Sequence, residues 1–129
     1  MNLILSGDDI GKLNDILETE LLSNGMEHVF IVDSSGNVIA GGGNLPMEFI
    51  LPLAALSAAN FGATERIANL IGEKDFTLLF HKGSKHNIHF SRIDRGFILV
   101  ILFDSSVSLG LVRMGSNRVA EQVLPILIK

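Results

Sequence analysis

Seven consecutive apolar residues, Phe97-Ile98-Leu99-Val100-Ile101-Leu102-Phe103, constrain this chain more than any other feature. They sit between the turn Asp94-Arg95-Gly96 and Asp104-Ser105, so the run has the length of a strand rather than a helix. A strand in a one-sided sheet alternates apolar and polar residues, whereas a strand with no polar face is covered on both sides. Val29-Phe30-Ile31-Val32 has the same character. Both strands therefore belong in the middle of a sheet with helices against each face. A chain of 129 residues, 47% of them hydrophobic, can bury about two-thirds of its unfolded surface, enough for such a core.

The flanking pattern supplies the helices. Ile10, Leu13, Leu17 and Leu21 recur at helical spacing after Asp8 and Asp9, whose charge suits the positive end of a helix. Asn24-Gly25 is a natural stop. His28–Asp33 and Val38–Ala40, joined by Ser34-Ser35-Gly36-Asn37, read as a hairpin. Gly41-Gly42-Gly43-Asn44 then leads into a helical region from about Pro46 to Ile71. Pro46 fits its first turn, and Pro52 marks either the true start or a kink. Asp75–His81, His86–Ile93 and Phe97–Phe103 form an antiparallel meander. Ser108 is placed to cap a last helix with Leu109, Val112, Ser116, Val119, Val123 and Leu127 on one face and Pro125 near its end. No repeat, linker or composition shift divides residues 1–129, so one α+β domain is expected, in the order helix, hairpin, helix, three strands, helix.

The middle helix is unusual. Ile50, Leu53, Phe61, Ala68 and Ile71 trace one stripe, while Leu56, Ala63, Ile67 and Leu70 trace a second. Such a helix needs cover on more than its sheet-facing side. Ala54, Ala58 and Gly62 recur every fourth residue, as do Ala55, Ala59 and Ala63. Small side chains let helix backbones approach closely, which favours a dimer seam containing Ala54, Ala55, Ala58, Ala59, Phe61 and Gly62. An Ala-rich core helix is the plainer alternative, because Ala is the best helix former.

Several chemistries lack their residues. With no cysteine there is no disulfide framework, no Cys-ligated metal and no thiol nucleophile. Fourteen acids against ten bases give a net charge of −4, a poor match to nucleic acid. Tyr and Trp are absent, which removes the usual stacking platforms for bases and sugars. Gly41-Gly42-Gly43-Asn44 lacks the lysine and hydroxyl of a phosphate loop and reads as a flexible connection. Of His28, His81, His86 and His89, three lie on one predicted hairpin, which offers no carboxylate at ligand spacing, and exposed strand histidines are expected rather than metal ligands. His86 and His89 are expected on opposite faces of their strand. Arg66, Arg92, Arg95, Arg113 and Arg118 read as solvated or loosely paired surface charges rather than catalytic fingers. Four apolar residues near the N-terminus are too few for a signal peptide. The uncharged stretch Phe49–Thr64 is shorter than a membrane span. A mean hydropathy of +0.41 suits a cytoplasmic chain that associates with itself.

The element order and three motifs resemble the roadblock family, named with a dynein light chain. The motifs are Phe30-Ile31-Val32-Asp33-Ser34-Ser35-Gly36-Asn37-Val38-Ile39-Ala40, the Ala-rich helix Leu53–Leu70, and Leu102-Phe103-Asp104-Ser105 followed by Leu109-Gly110-Leu111-Val112-Arg113. The resemblance implies a five-stranded antiparallel sheet in the order 2-1-5-4-3 between helices. It implies a dimer through the middle helix and the neighbouring edge strand. It gives Gly36, Gly110 and Arg113 structural roles, Gly110 by close packing where strand gives way to helix and Arg113 by anchoring that turn. Family members bind Ras-like small GTPases as scaffolds, exchange-complex subunits or activators of hydrolysis. A single-domain chain most resembles the bacterial gliding-polarity type, a homodimer that acts through the GTPase's own catalytic groups without donating an arginine. The expectation is thus a non-catalytic homodimeric regulator of a Ras-like small GTPase, without cofactor, metal, nucleic acid or membrane insertion. The alternative is a nucleotide-insensitive scaffold or adaptor in a larger complex. A small-ligand sensor is disfavoured, because the apolar strands carry no polar constellation.

Overall fold

The computed structural model describes residues 5–74, 76–94 and 96–128. The elements are α1 (Gly7–Glu20), a short 3-10 turn (Leu22–Asn24), β1 (His28–Asp33), β2 (Val38–Gly43), α2 (Met47–Leu70), β3 (Leu78–Lys82), β4 (Asn87–Asp94), β5 (Phe97–Phe103) and α3 (Leu109–Leu127). All strands pair antiparallel in the order β2-β1-β5-β4-β3. The sheet order, the α+β class and the central position of the two wholly apolar strands match the sequence expectation.

Alternation along β1 and β5 divides the core into two layers. Val29 and Ile31 of β1, paired with Ile101 and Leu99 of β5, face α1 and α3. Phe30 and Val32, paired with Val100 and Ile98, face α2. All eight are buried. Burial of each such side chain contributes roughly 1.5–3 kcal/mol, and a slip of one residue would exchange the faces of every pair.

Local chemistry sets the element ends. Ser6 caps α1: its Oγ accepts the Asp9 N–H at 3.1 Å, and Asp9 Oδ2 accepts the Ser6 N–H at 3.0 Å. This reciprocal box starts the helix at Gly7, ahead of the two aspartates expected to open it. Gly25 ends the following turn with φ +95°. In the β1–β2 turn, Asp33 Oδ1 accepts the N–H groups of Ser35 and Asn37, each at 2.9 Å. Gly36 has φ +88°, and a Cβ there would lie 3.0 Å from Ala55 Cα, so this turn rests directly on α2. Pro46 stands at the N-cap of α2 rather than in its first turn, and Pro52 lies within the helix without ending it. Ser108 caps α3 as expected, accepting the Leu111 N–H at 3.2 Å. β3 begins at Leu78, later than expected; Asp75 lies outside the described residues.

The close-packing glycine of α3 is not the expected one. A Cβ on Gly110 would meet nothing within 4 Å, whereas one on Gly115 would lie 2.6 Å from Leu21 Cδ2 and 3.3 Å from the Glu20 carbonyl oxygen. Gly115 is where α1 and α3 touch. The spacing of α3's buried face, Val112, Ser116, Val119 and Val123, holds that contact in place.

Gly115→Leu should therefore cost about 1–3 kcal/mol by overpacking. Gly110→Ala should be neutral or stabilising by up to about 1 kcal/mol, because Ala is the better helix former. Urea unfolding of the two variants beside the parent chain measures both.

Candidate functional site on the outer face of the middle helix

α2 alone covers its side of the sheet, so one stripe goes inward and the rest stays outside. The inward stripe is Ala54, Ser57, Phe61, Thr64 and Ala68, recurring at three and four residues. Its two hydroxyls need no outside partner: Ser57 donates to the Leu53 carbonyl at 2.7 Å and Thr64 to the Asn60 carbonyl at 2.9 Å. Phe61 meets Phe90 of β4 edge-on at 6.5 Å. The Arg92 guanidinium lies over the same ring, 5.3 Å from its centroid, and is ion-paired with Glu65. Arg92 is thus a clamp between β4 and α2, not a loose surface charge.

The expected seam divides on this geometry. Ala54 and Phe61 pack against the sheet and are buried within one chain, which removes them from the outer surface. Ala55, Ala59 and Gly62 are exposed and Ala58 is half-buried, so these four keep their place on it. They form the floor of an open concavity of about 570 Å³, with Ser34 and Ser35 of the β1–β2 turn on one side and Arg66 at one end. Larger apolar side chains continue the face at both ends: Leu51 is 69% exposed, Ile67 54% and Leu70 86%. By length and composition α2 is also apolar enough to cross a membrane, although here its inner stripe is committed to the sheet.

The two sheet edges differ. On β2 the outward N–H of Gly41 is taken by Asn14 Oδ1 of α1 at 3.0 Å. β3 has no strand on its outer side among the described residues. Asn60 Nδ2 of α2 and His81 Nε2 of β3 stand 3.5 Å apart, so the apolar helix face and the open strand edge adjoin.

Two of the four histidines overturn the expectation of exposed strand positions. His28 and His89 are buried, while His81 and His86 are exposed. His86 Nδ1 lies 3.0 Å from Glu27 Oε1, just before β4 begins. His89 is directed to the α3 side of the sheet opposite Ile101, and neither ring nitrogen has a hydrogen-bond partner. Burial, reinforced by the charge of Arg113, pushes its pKa down to about 4. Among the described residues no hydrogen bond ties the exposed Arg113 side chain to the turn before α3. Arg95 lies outside the described residues. Among the described residues no three metal-binding side chains come together.

The fold is that of a known family. The Roadblock/LC7 domain model matches residues 13–103, and the chain belongs to that family. MglB of Myxococcus xanthus superposes with a TM-score of 0.88 at 30% sequence identity, covering 98% of each chain. The gliding protein MglB of Thermus thermophilus gives 0.87 at 28% identity, covering 98% of this chain and 96% of that one. An uncharacterized protein of Methanocaldococcus jannaschii is 31% identical over 103 residues, 78% of this chain and 84% of its own.

The buried neutral His89 predicts acid sensitivity. Its native pKa, about 4, lies below the ordinary value near 6.5 that holds in the unfolded chain. The unfolded state therefore binds more protons between these values, and stability is complete above about pH 6.5 and falls toward pH 4. The loss attributable to His89 should approach roughly 3 kcal/mol. His28, also lowered by burial, acts in the same direction. His89→Leu should flatten most of the fall in urea unfolding measured from pH 7 to pH 4.

Proposed function

We propose that this chain is a non-catalytic homodimeric regulator that binds a Ras-like small GTPase and stimulates its GTP hydrolysis through the GTPase's own catalytic groups. The observation that carries the dimer is the apolar outer face of α2 beside the open edge of β3. A contiguous face of this kind marks an interaction surface. Its small central residues allow close helix approach. Leu51 and Ile67 lie equally far along the helix from Ala59, as do Ala55 and Ala63. A two-fold axis at Ala59 would therefore set Leu51 of one copy against Ile67 of the other, the self-complementary arrangement of an isologous interface. Membership of the Roadblock/LC7 family and likeness to MglB along nearly the whole chain support the GTPase as partner. The commitment of Arg92 to Phe61 and Glu65 suits a regulator that donates no arginine from this strand.

Light scattering should give twice the 13.9 kDa chain mass for the parent protein and the single-chain mass for Ala59→Glu and Gly62→Glu. Both positions point outward, so the variants should keep the parent's circular dichroism; an unchanged dimer mass would place the seam elsewhere. Capture of a Ras-like GTPase should be stronger with a non-hydrolysable GTP analogue than with GDP, followed by faster GTP turnover on addition of this protein. Equal capture in both states would favour the adaptor reading.

A further inference from the structure

A second concavity, on the other side of the α2 N-terminus, is built differently. It measures about 510 Å³ and lies between β2 and the first turns of α2, walled by Phe30, Val38, Leu45, Met47 and Ile50, with Leu51 at the border it shares with the proposed seam. Among the described residues no charged side chain lines it; His28 is the one polar side chain, and Gly41–Gly43 line it through their backbone. The ring of His28 is held in a defined state. Its Nδ1 accepts the Leu45 N–H at 3.1 Å, so the neutral ring carries its proton on Nε2. A charged ring would turn an Nδ1–H against that same N–H, and burial already disfavours charge.

Nε2 has no hydrogen-bond partner among the described residues. Unlike the two nitrogens of His89, it is not sealed from solvent, although the residue as a whole is only 4% exposed. A buried ring thus presents one N–H donor to the groove that it lines. The glycine run explains how the ring reaches this position. Gly43 has φ +128°, and a Cβ there would lie 2.7 Å from His28 Nδ1 and 2.4 Å from the Glu27 carbonyl oxygen. A Cβ on Gly41 would lie 2.8 Å from Phe30 Cβ. Side chains at these positions would displace the two rings that form the groove.

We infer that this groove binds a small, uncharged, largely apolar molecule bearing one carbonyl-type acceptor, which takes the His28 Nε2–H. The volume falls within the range of small-molecule sites, where apolar walls and a few placed polar groups are the usual lining. The electrostatics select the class: a neutral side-chain donor with no charged side chain among the described lining residues calls for a neutral acceptor. A carboxylate would lose its hydration there without a cation to replace it.

The test uses the full chain labelled with 15N and three probes of similar shape: acetophenone, ethylbenzene and benzoate. Acetophenone should give saturable shifts of the Gly41–Gly43 and Leu45 amides and of the His28 Nε2 resonance. Ethylbenzene, which lacks the acceptor, should bind about fivefold more weakly, the worth of one net hydrogen bond, and leave Nε2 unmoved. Benzoate should not saturate the site. His28→Phe keeps a ring but removes the donor and should bring acetophenone down to the affinity of ethylbenzene. Absence of saturable acetophenone shifts, equal affinity for acetophenone and ethylbenzene, or tight benzoate binding would each overturn the inference. The comparison among probes on the parent protein decides it even if His28→Phe does not fold.

Discussion

β1 and β5 lie side by side and carry apolar side chains on both faces, so neither face of the sheet centre can meet water. Their pairing fixes the rest of the architecture. One face is closed by α1 and α3, which meet at Gly115 and Leu21. The other is left to α2 alone. Two helices on one side and one on the other is an unequal cover, and the unequal side is where the molecule has surface to offer.

A single helix laid on a sheet can turn only one stripe inward. In α2 that stripe is made of small residues, two hydroxyls satisfied by their own helix, and one large ring, Phe61. Contact with the sheet is therefore modest for a helix of 24 residues, and Arg92, stacked on Phe61 and paired with Glu65, adds a polar clamp to it. The larger apolar side chains, Leu51, Leu56, Ile67 and Leu70, stand outside. Large apolar side chains left outside around a centre of small ones distinguish α2 from an ordinary amphipathic helix.

Burial also explains the polar groups that the core retains. His28 is tolerated because Leu45 supplies a donor to one nitrogen and the groove leaves the other accessible. His89 has neither arrangement and stays neutral by desolvation. Burial keeps both rings neutral, and what packs over each decides whether its nitrogens find partners.

The fold is legible in the chain because β1 and β5 break the alternation rule in short runs between clear turns, and because helix caps such as Ser108 act through residues three positions away. The candidate surface is legible in part. Spacing by four places Ala55, Ala59 and Gly62 on related rows, but a helix with two apolar stripes does not declare which one faces the sheet. For that reason the spacing groups Ala54 and Phe61 with residues on the opposite side. A motif favours Gly110 over Gly115, and only the crossing of α1 over α3 decides which glycine lacks room for a side chain. The burial of His89, the clamp at Arg92 and the seat that Gly41–Gly43 make for the His28 ring depend on residues far apart in the chain. Local periodicity determines which elements form and which strands must be central. The three-dimensional packing decides which helix face is left uncovered and which polar groups are enclosed, because these follow from contacts between distant segments that no local pattern encodes.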